Sequence, residues 1–231
     1  EIGSIQPIEA ISELLADKPT ISFHVDAVQA LAKIPIEKYL TERVDFATFS
    51  GHKFHGVRGV GFVYIKSGKK ITPLLTGGGQ ESDYRSTTEN VAGIAATAKA
   101  LRLSMEKLDI FTSKTGQMKA VIRQALLDYP DIFVFSDEKD FAPHILTFGI
   151  KGVRGEVIVH AFEDYDIFIS TTSACSSKAG KPAGTLIAMG VDKDKAQSAV
   201  RLSLDLENDM SQVEQFLTKL KLIYNQTRKV R

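Results

Sequence analysis

Ser50-Gly51-His52-Lys53-Phe54-His55-Gly56-Val57-Arg58-Gly59-Val60-Gly61 sets one lysine among small, polar and glycine residues, directly after the run Asp45-Phe46-Ala47-Thr48-Phe49. The run has the β-branched and aromatic content of a short buried strand, and Val60 to Ile65 reads as a second one, so Lys53 falls in a turn between two strands. The four glycines of the stretch let the backbone take positive φ and come close to a ligand. Taken alone, such a lysine is a solvated turn residue. Two further stretches give it a chemical context. Upstream, Ile21-Ser22-Phe23-His24-Val25-Asp26-Ala27-Val28-Gln29 is a strand pattern that ends in an acid, with an amide three residues later. Downstream, the only cysteine, Cys175, lies in Ser170-Thr171-Thr172-Ser173-Ala174-Cys175-Ser176-Ser177-Lys178-Ala179-Gly180.

The 231 residues are 43% hydrophobic and 25% charged, enough for one large or two modest domains with real cores. Lys+Arg 29 against Asp+Glu 28 gives no general attraction to nucleic acid or to an anionic membrane surface. No apolar run reaches the length of a membrane span, and there is no signal-peptide pattern. A single cysteine excludes an internal disulfide framework and fits a cytoplasmic location. The first residue is Glu, which suggests a processed product or a fragment.

Pro7 to Leu15 has helical apolar spacing, and Ile21 to Val25 is a strand. Asn90 to Leu108 reads as a long helix with Thr87, Thr88 or Asn90 at its cap, and a further helix covers about Lys114 to Leu127. Beyond Pro130 come strands near Ile132 to Phe135 and His144 to Phe148, a helix from Gly155 to Phe162, strands at Ile167 to Ser170 and Ala199 to Leu204, and a last helix capped by Ser211 that runs to near Tyr224. The change of pattern places a domain boundary within the long helix, near residue 107. The basic end, Thr227 to Arg231, reads as a solvated tail.

A strand-end Asp, a loop Lys and a loop Cys, in this order, closely resemble the cysteine desulfurases, enzymes of pyridoxal 5′-phosphate (PLP) fold type I in the class-V aminotransferase group. The matching pieces are Glu1-Ile2-Gly3, His24-Val25-Asp26-Ala27-Val28-Gln29, Ser50-Gly51-His52-Lys53, Gly77-Gly78-Gly79-Gln80-Glu81, Arg85-Ser86-Thr87-Thr88-Glu89-Asn90, Ser173-Ala174-Cys175 and Arg201-Leu202-Ser203. Each is weak singly; their order along nearly the whole chain is the strong signal.

The resemblance implies an α/β fold: residues 1–107 as the C-terminal part of a PLP-binding large domain and 108–231 as a small α+β domain. It implies that Lys53 bonds the cofactor aldehyde and moves a proton at the substrate's Cα, and that Asp26 faces the pyridine nitrogen. Gln29 would reach the phenolic oxygen, Ser50 and His52 the phosphate, and Thr88 the phosphate of a neighbouring subunit in a homodimer. Arg201 would clamp the substrate carboxylate with its planar fork. Cys175 would take sulfur from L-cysteine as a persulfide, releasing alanine, and pass it to an acceptor protein of iron–sulfur cluster assembly or tRNA thiolation. Nucleic acid and membrane are not among the implied direct partners.

Each of these residues also has an ordinary reading. Asp26 is a strand-ending or capping acid, Thr88 a helix cap, Arg201 a strand arginine paired with an acid, and Cys175 an inert buried thiol. His24 and His55 have no assignment, and the lysine between His52 and His55 argues against a metal pair. Two departures from the family stand out. Roughly the first third of the family chain has no counterpart here, so the sheet of the first domain is expected to be a three-strand remnant. Thr87 also stands where the family usually has Gly. Two alternatives remain open: another fold-type I lyase or aminotransferase, and a non-catalytic binding or dimerisation module.

Overall fold

The strand that leads into the lysine turn, Phe46–Ser50 (β2), is the middle of a three-stranded sheet, with His24–Asp26 (β1) parallel on one side and Gly61–Ile65 (β3) antiparallel on the other. The computed structural model describes residues 1–172 and 184–229. The chain forms two compact units, Gln6–Asp109 and Glu1–Ile5 with Ile110–Arg231.

Alternation along β2 divides the first sheet. Ala47 and Phe49 are buried, with Val25 opposite Ala47, and Phe49 stacks on Phe62 at 4.7 Å and meets the edge of Tyr39 at 6.4 Å. Thr48 and Ser50 therefore share the other face with His24 and Asp26, which flank the inward-facing Val25. The β1 ladder starts at His24 and not at Ile21. The Ile21 carbonyl is taken by Arg43 Nη2 at 2.6 Å and the Phe23 N–H by the Asp45 carboxylate at 2.8 Å, so the chain before His24 is held by side chains.

Asp45 is 2% exposed, and its carboxylate also meets Arg43 at 2.9 Å and Lys69 at 3.1 Å. Burial pushes this carboxyl up, but the Phe23 N–H and the two cations outweigh it and hold it at about 2. The network ties the amino ends of the two parallel strands. In the same unit lie helices Ile8–Leu14 (α1) and Val91–Met105 (α2). Asn90 caps α2, its side chain accepting the Gly93 N–H at 3.0 Å, in preference to Thr87 or Thr88.

The second unit is built on an antiparallel sheet of order β4-β5-β7-β6: Ile132–Val134 (β4), Ile145–Ile150 (β5), Ser170–Thr171 (β6) and Ala199–Ser203 (β7). Helix Leu108–Leu127 (α3) enters this unit, which also holds Gly155–Glu163 (α4), Gly184–Ala188 (α5), Lys193–Gln197 (α6) and Met210–Lys229 (α7). One sheet face carries Leu146, Phe148, Ile150, Val200 and Leu202 into a core with Met118, Ile122, Ile158, Phe162, Phe216 and Leu220 from α3, α4 and α7. The opposite face carries Thr147 and Arg201, directly paired across β5 and β7. It is met by the first residues of the chain. Ile2 packs with Leu186, Ala196 and Ala199, and Ser4 forms a bridge with Phe141, so Glu1–Ile5 lies with this unit and not with the lysine-bearing one.

Three local expectations shift. The last helix begins at Met210, with the Asp209 carboxylate accepting from Gln212 N–H at 3.0 Å and from Ser211 Oγ at 2.7 Å, so Asp209 and not Ser211 is the cap. Those two bonds, led by the Ser211 hydroxyl, also lower the Asp209 carboxyl. Strand β6 is shorter than the apolar run Ile167 to Ser170, because Ile167 N–H returns to Phe162 O at 3.1 Å and Ile167 and Ile169 pack against the core before the ladder forms. Helix α3 starts at Leu108, earlier than Lys114.

Candidate active site

Lys53 sits in a 3-10 turn, Gly51–Phe54, that continues β2. The turn is clamped from several sides. Gly51 N–H donates to Val60 O at 2.9 Å and Gly56 N–H to Gly51 O at 2.9 Å. His55 closes the turn in the left-handed region at φ 66. Phe54 is fully buried, and its carbonyl accepts the Ser104 hydroxyl of α2 at 3.2 Å. Gly51 lies so close to α2 that an added Cβ would stand 2.9 Å from Thr97 Cγ2 and 3.0 Å from the Val60 carbonyl. Thr97 is 4% exposed, and its Oγ1 has no hydrogen-bond partner among the described residues. A strand on one side and α2 on the other thus leave this turn little freedom, while Lys53 remains half-buried and His52 exposed.

Asp26 ends β1, in register with Thr48, two residues before Ser50. Its Oδ1 accepts the Val28 N–H at 3.0 Å, and Ala27 N–H donates to Thr48 O at 3.1 Å, so the chain turns sharply and leaves Asp26 and Gln29 exposed. His24, unassigned from sequence, lies on the same face with Nε2 3.2 Å from Thr48 Oγ1. Asp26, Gln29, Ser50, His52 and Lys53 are thereby gathered at the carboxyl ends of two parallel strands, the end where open α/β sheets bind ligands. Thr88 lies exposed in the segment before Asn90, in the same unit.

Arg201 belongs to the second unit. It lies between Thr147 of β5 and Ser170 of β6, and its Nε is buried without a hydrogen-bond partner among the described residues. An orphaned guanidinium nitrogen costs free energy unless a ligand completes it, and a carboxylate is the matching acceptor. Cys175 lies outside the described residues. Among the described residues no group of three or more His, Cys, Asp or Glu could hold a metal, and no helix is long and apolar enough to cross a membrane. Thr97 and Ser104, which brace the lysine turn from α2, carried no local signal in the sequence.

A family model described as aminotransferase class-V matches residues 1–216, and the chain belongs to that family. A NifS/IcsS protein homolog of Lactobacillus delbrueckii is 50% identical over the whole chain, and a cysteine desulfurase IscS of Clostridium botulinum 36% identical. The chain spans 60% of the length of the first relative and 58% of the second. A solved NifS-like protein superposes with a TM-score of 0.86 at 34% identity, covering 97% of this chain and 58% of that one. A NifS-like protein from Rickettsia africae superposes with a TM-score of 0.86 at 29% identity, over 97% of this chain and 59% of its own. The fold is the α/β architecture of these NifS-like, fold-type I proteins.

Proposed function

We propose that the full protein is a PLP-dependent cysteine desulfurase, which takes sulfur from L-cysteine, releases L-alanine and carries the sulfur as a persulfide to an acceptor protein. The observation that carries this reading is the cluster of a carboxylate, a hydroxyl, an imidazole and a braced amine at the carboxyl ends of β1 and β2. The names of its relatives support it. That donor set fits a pyridine aldehyde bearing a phosphate.

Bound there, PLP supplies an electron sink for charge that develops at the substrate's Cα. Asp26 would hold a proton on the pyridine nitrogen and Gln29 would reach the phenolic oxygen. Ser50 and His52 would donate to the phosphate, and Thr88 would reach it from a second subunit. Lys53 would hold the cofactor aldehyde and would carry the Cα proton off before the C–S bond breaks and back after it, and its turn keeps that amine in one place. Arg201 takes the substrate carboxylate in a bidentate pair. The Cys175 thiolate attacks the substrate sulfur; the new S–S bond forms as the C–S bond breaks, and Cβ takes up a proton to give alanine. In this reading the lysine-bearing unit is part of the cofactor domain and the Arg201 unit is the small domain. The assembly is a homodimer that works in the cytoplasm, and its acceptor serves iron–sulfur cluster assembly or tRNA thiolation.

The test incubates the full-length protein and its Lys53→Ala and Cys175→Ser variants with PLP and labelled cysteine. Wild type should be yellow, become labelled at Lys53 by borohydride, release alanine and hold persulfide. Lys53→Ala should lose the borohydride label, and Cys175→Ser should keep the colour and lose sulfur transfer. A colourless wild type would turn the reading towards a binding module, and unchanged turnover in Cys175→Ser towards another lyase of the same fold.

A further inference from the structure

Lys53 is bracketed in the chain by Gly51 and Phe54, and the same helix meets both. Upstream, the Gly51 N–H is tied to Val60 O at 2.9 Å, and Gly51 lies against Thr97 of α2. An added Cβ at Gly93 would stand 2.8 Å from Val60 Cγ2, so the start of α2 presses on the residue whose carbonyl holds Gly51. Downstream, Phe54 O accepts the Ser104 hydroxyl at 3.2 Å. Gly93, Thr97 and Ser104 stand at i, i+4 and i+11, which is one face of a helix. All three are small, which lets α2 approach the turn closely.

The upstream contacts are backbone and shape; the downstream one depends on a single side chain. Phe54 ends the 3-10 turn, where a carbonyl finds no partner within the turn itself. The residue is 0% exposed, so water does not serve that carbonyl either. Among the described residues the Ser104 hydroxyl supplies its hydrogen bond, and without it a buried acceptor is left unpaired. The same peptide leads into His55, whose φ of 66 is a left-handed conformation that a histidine keeps only where its surroundings hold it. Removing the Ser104 bond therefore gives the Phe54–His55 peptide two reasons to rotate, and Lys53 is the residue before it.

We propose that Ser104 is a positioning residue for Lys53: through Phe54 O it holds the downstream end of the lysine turn, as Val60 and Thr97 hold the upstream end. This rests on the desulfurase reading, in which one amine first holds the cofactor aldehyde and then carries a proton at the substrate's Cα. Once the amine is released from the aldehyde, only the backbone fixes where its stem begins. A small rotation there is amplified along four carbons, whereas proton transfer needs its two heavy atoms within about 3 Å. The bond acts on that step and leaves the binding of cysteine to other groups.

The experiment uses the full-length holoenzyme with Ser104→Ala, Ser104→Thr and Lys99→Gly. Lys99 is exposed and lies about half a turn round α2 from Thr97 and Ser104, so glycine there weakens the helix without touching the lysine turn. Ser104→Ala should lower kcat for alanine release about fivefold, with KM for cysteine and the cofactor absorbance unchanged. Amide exchange at His55, whose N–H donates to Gly51 O, should accelerate in the same variant. Ser104→Thr keeps the hydroxyl and should recover most of the rate. Lys99→Gly should lower the melting temperature and keep wild-type kcat, which separates a loosened turn from a weakened helix. Wild-type kcat or unchanged His55 exchange in Ser104→Ala, or an equal loss of kcat in Lys99→Gly, would overturn the role of Ser104. A wild-type protein that releases no alanine from cysteine would instead overturn the desulfurase reading, while His55 exchange would still report whether Ser104 holds the turn.

Discussion

Replacing Asp45 by Asn removes one charge from the network that joins the amino ends of β1 and β2 while keeping its shape. Arg43 retains its bonds to the carbonyls of Leu15 at 2.8 Å, Lys18 at 3.0 Å and Ile21 at 2.6 Å, so the variant should fold. The carboxyl is held at about 2 against an ordinary value of 3.8. At about 1.36 kcal/mol per pH unit, that difference makes the ionised group favour the folded state by about 2 kcal/mol at neutral pH. Because the folded value is the depressed one, this stabilisation is complete above pH 3.8 and is lost as pH falls through about 2. Urea unfolding of the full-length protein at pH 7 should therefore show Asp45→Asn less stable by about 2 kcal/mol, a gap that holds down to about pH 4 and narrows below it. Amide exchange at Phe23, whose N–H donates to Asp45 Oδ2, should accelerate in the variant. A gap under about 0.5 kcal/mol at pH 7, in the range of a surface pair, would refute the argument that burial makes this network matter.

Gly51→Ala should cost about 1–3 kcal/mol through the clash with Thr97 and reduce borohydride labelling of Lys53, with partial recovery when Thr97→Ser removes the offending methyl; wild-type labelling in Gly51→Ala would show that the turn is not braced by α2. Lys119 is 6% exposed, donates to Ala142 O at 2.9 Å, and is lowered to about 8 by burial and then by Arg123. Its folded form gives up the proton near pH 8 and the unfolded form near 10.5, so stability should rise across that interval, and Lys119→Met should flatten the rise in pH-dependent unfolding.

What was legible in the sequence was local. The apolar run into Ser50, the glycine-bounded lysine turn and the acid at the end of β1 follow from strand period and turn chemistry within a few residues. The helical spacing of α2, α3, α4 and α7 is equally local, and ordered short motifs were enough to suggest the family. The tertiary structure decided which of these pieces meet. Arg201 and Leu202 are adjacent in the chain yet face opposite sides of the second sheet, and only the β5–β7 register puts Arg201 beside Thr147. Glu1 reaches Thr147 and Thr185 across separations of 146 and 184 residues, and Ser104 reaches the Phe54 carbonyl across 50. Asp209 displaces Ser211 as a cap because its carboxylate takes both the Gln212 N–H and the Ser211 hydroxyl. Periodicity encodes the backbone dihedrals and the side a residue faces. Partners distant in sequence are chosen by strand pairing and by the volume left between packed elements, which no short window of residues contains.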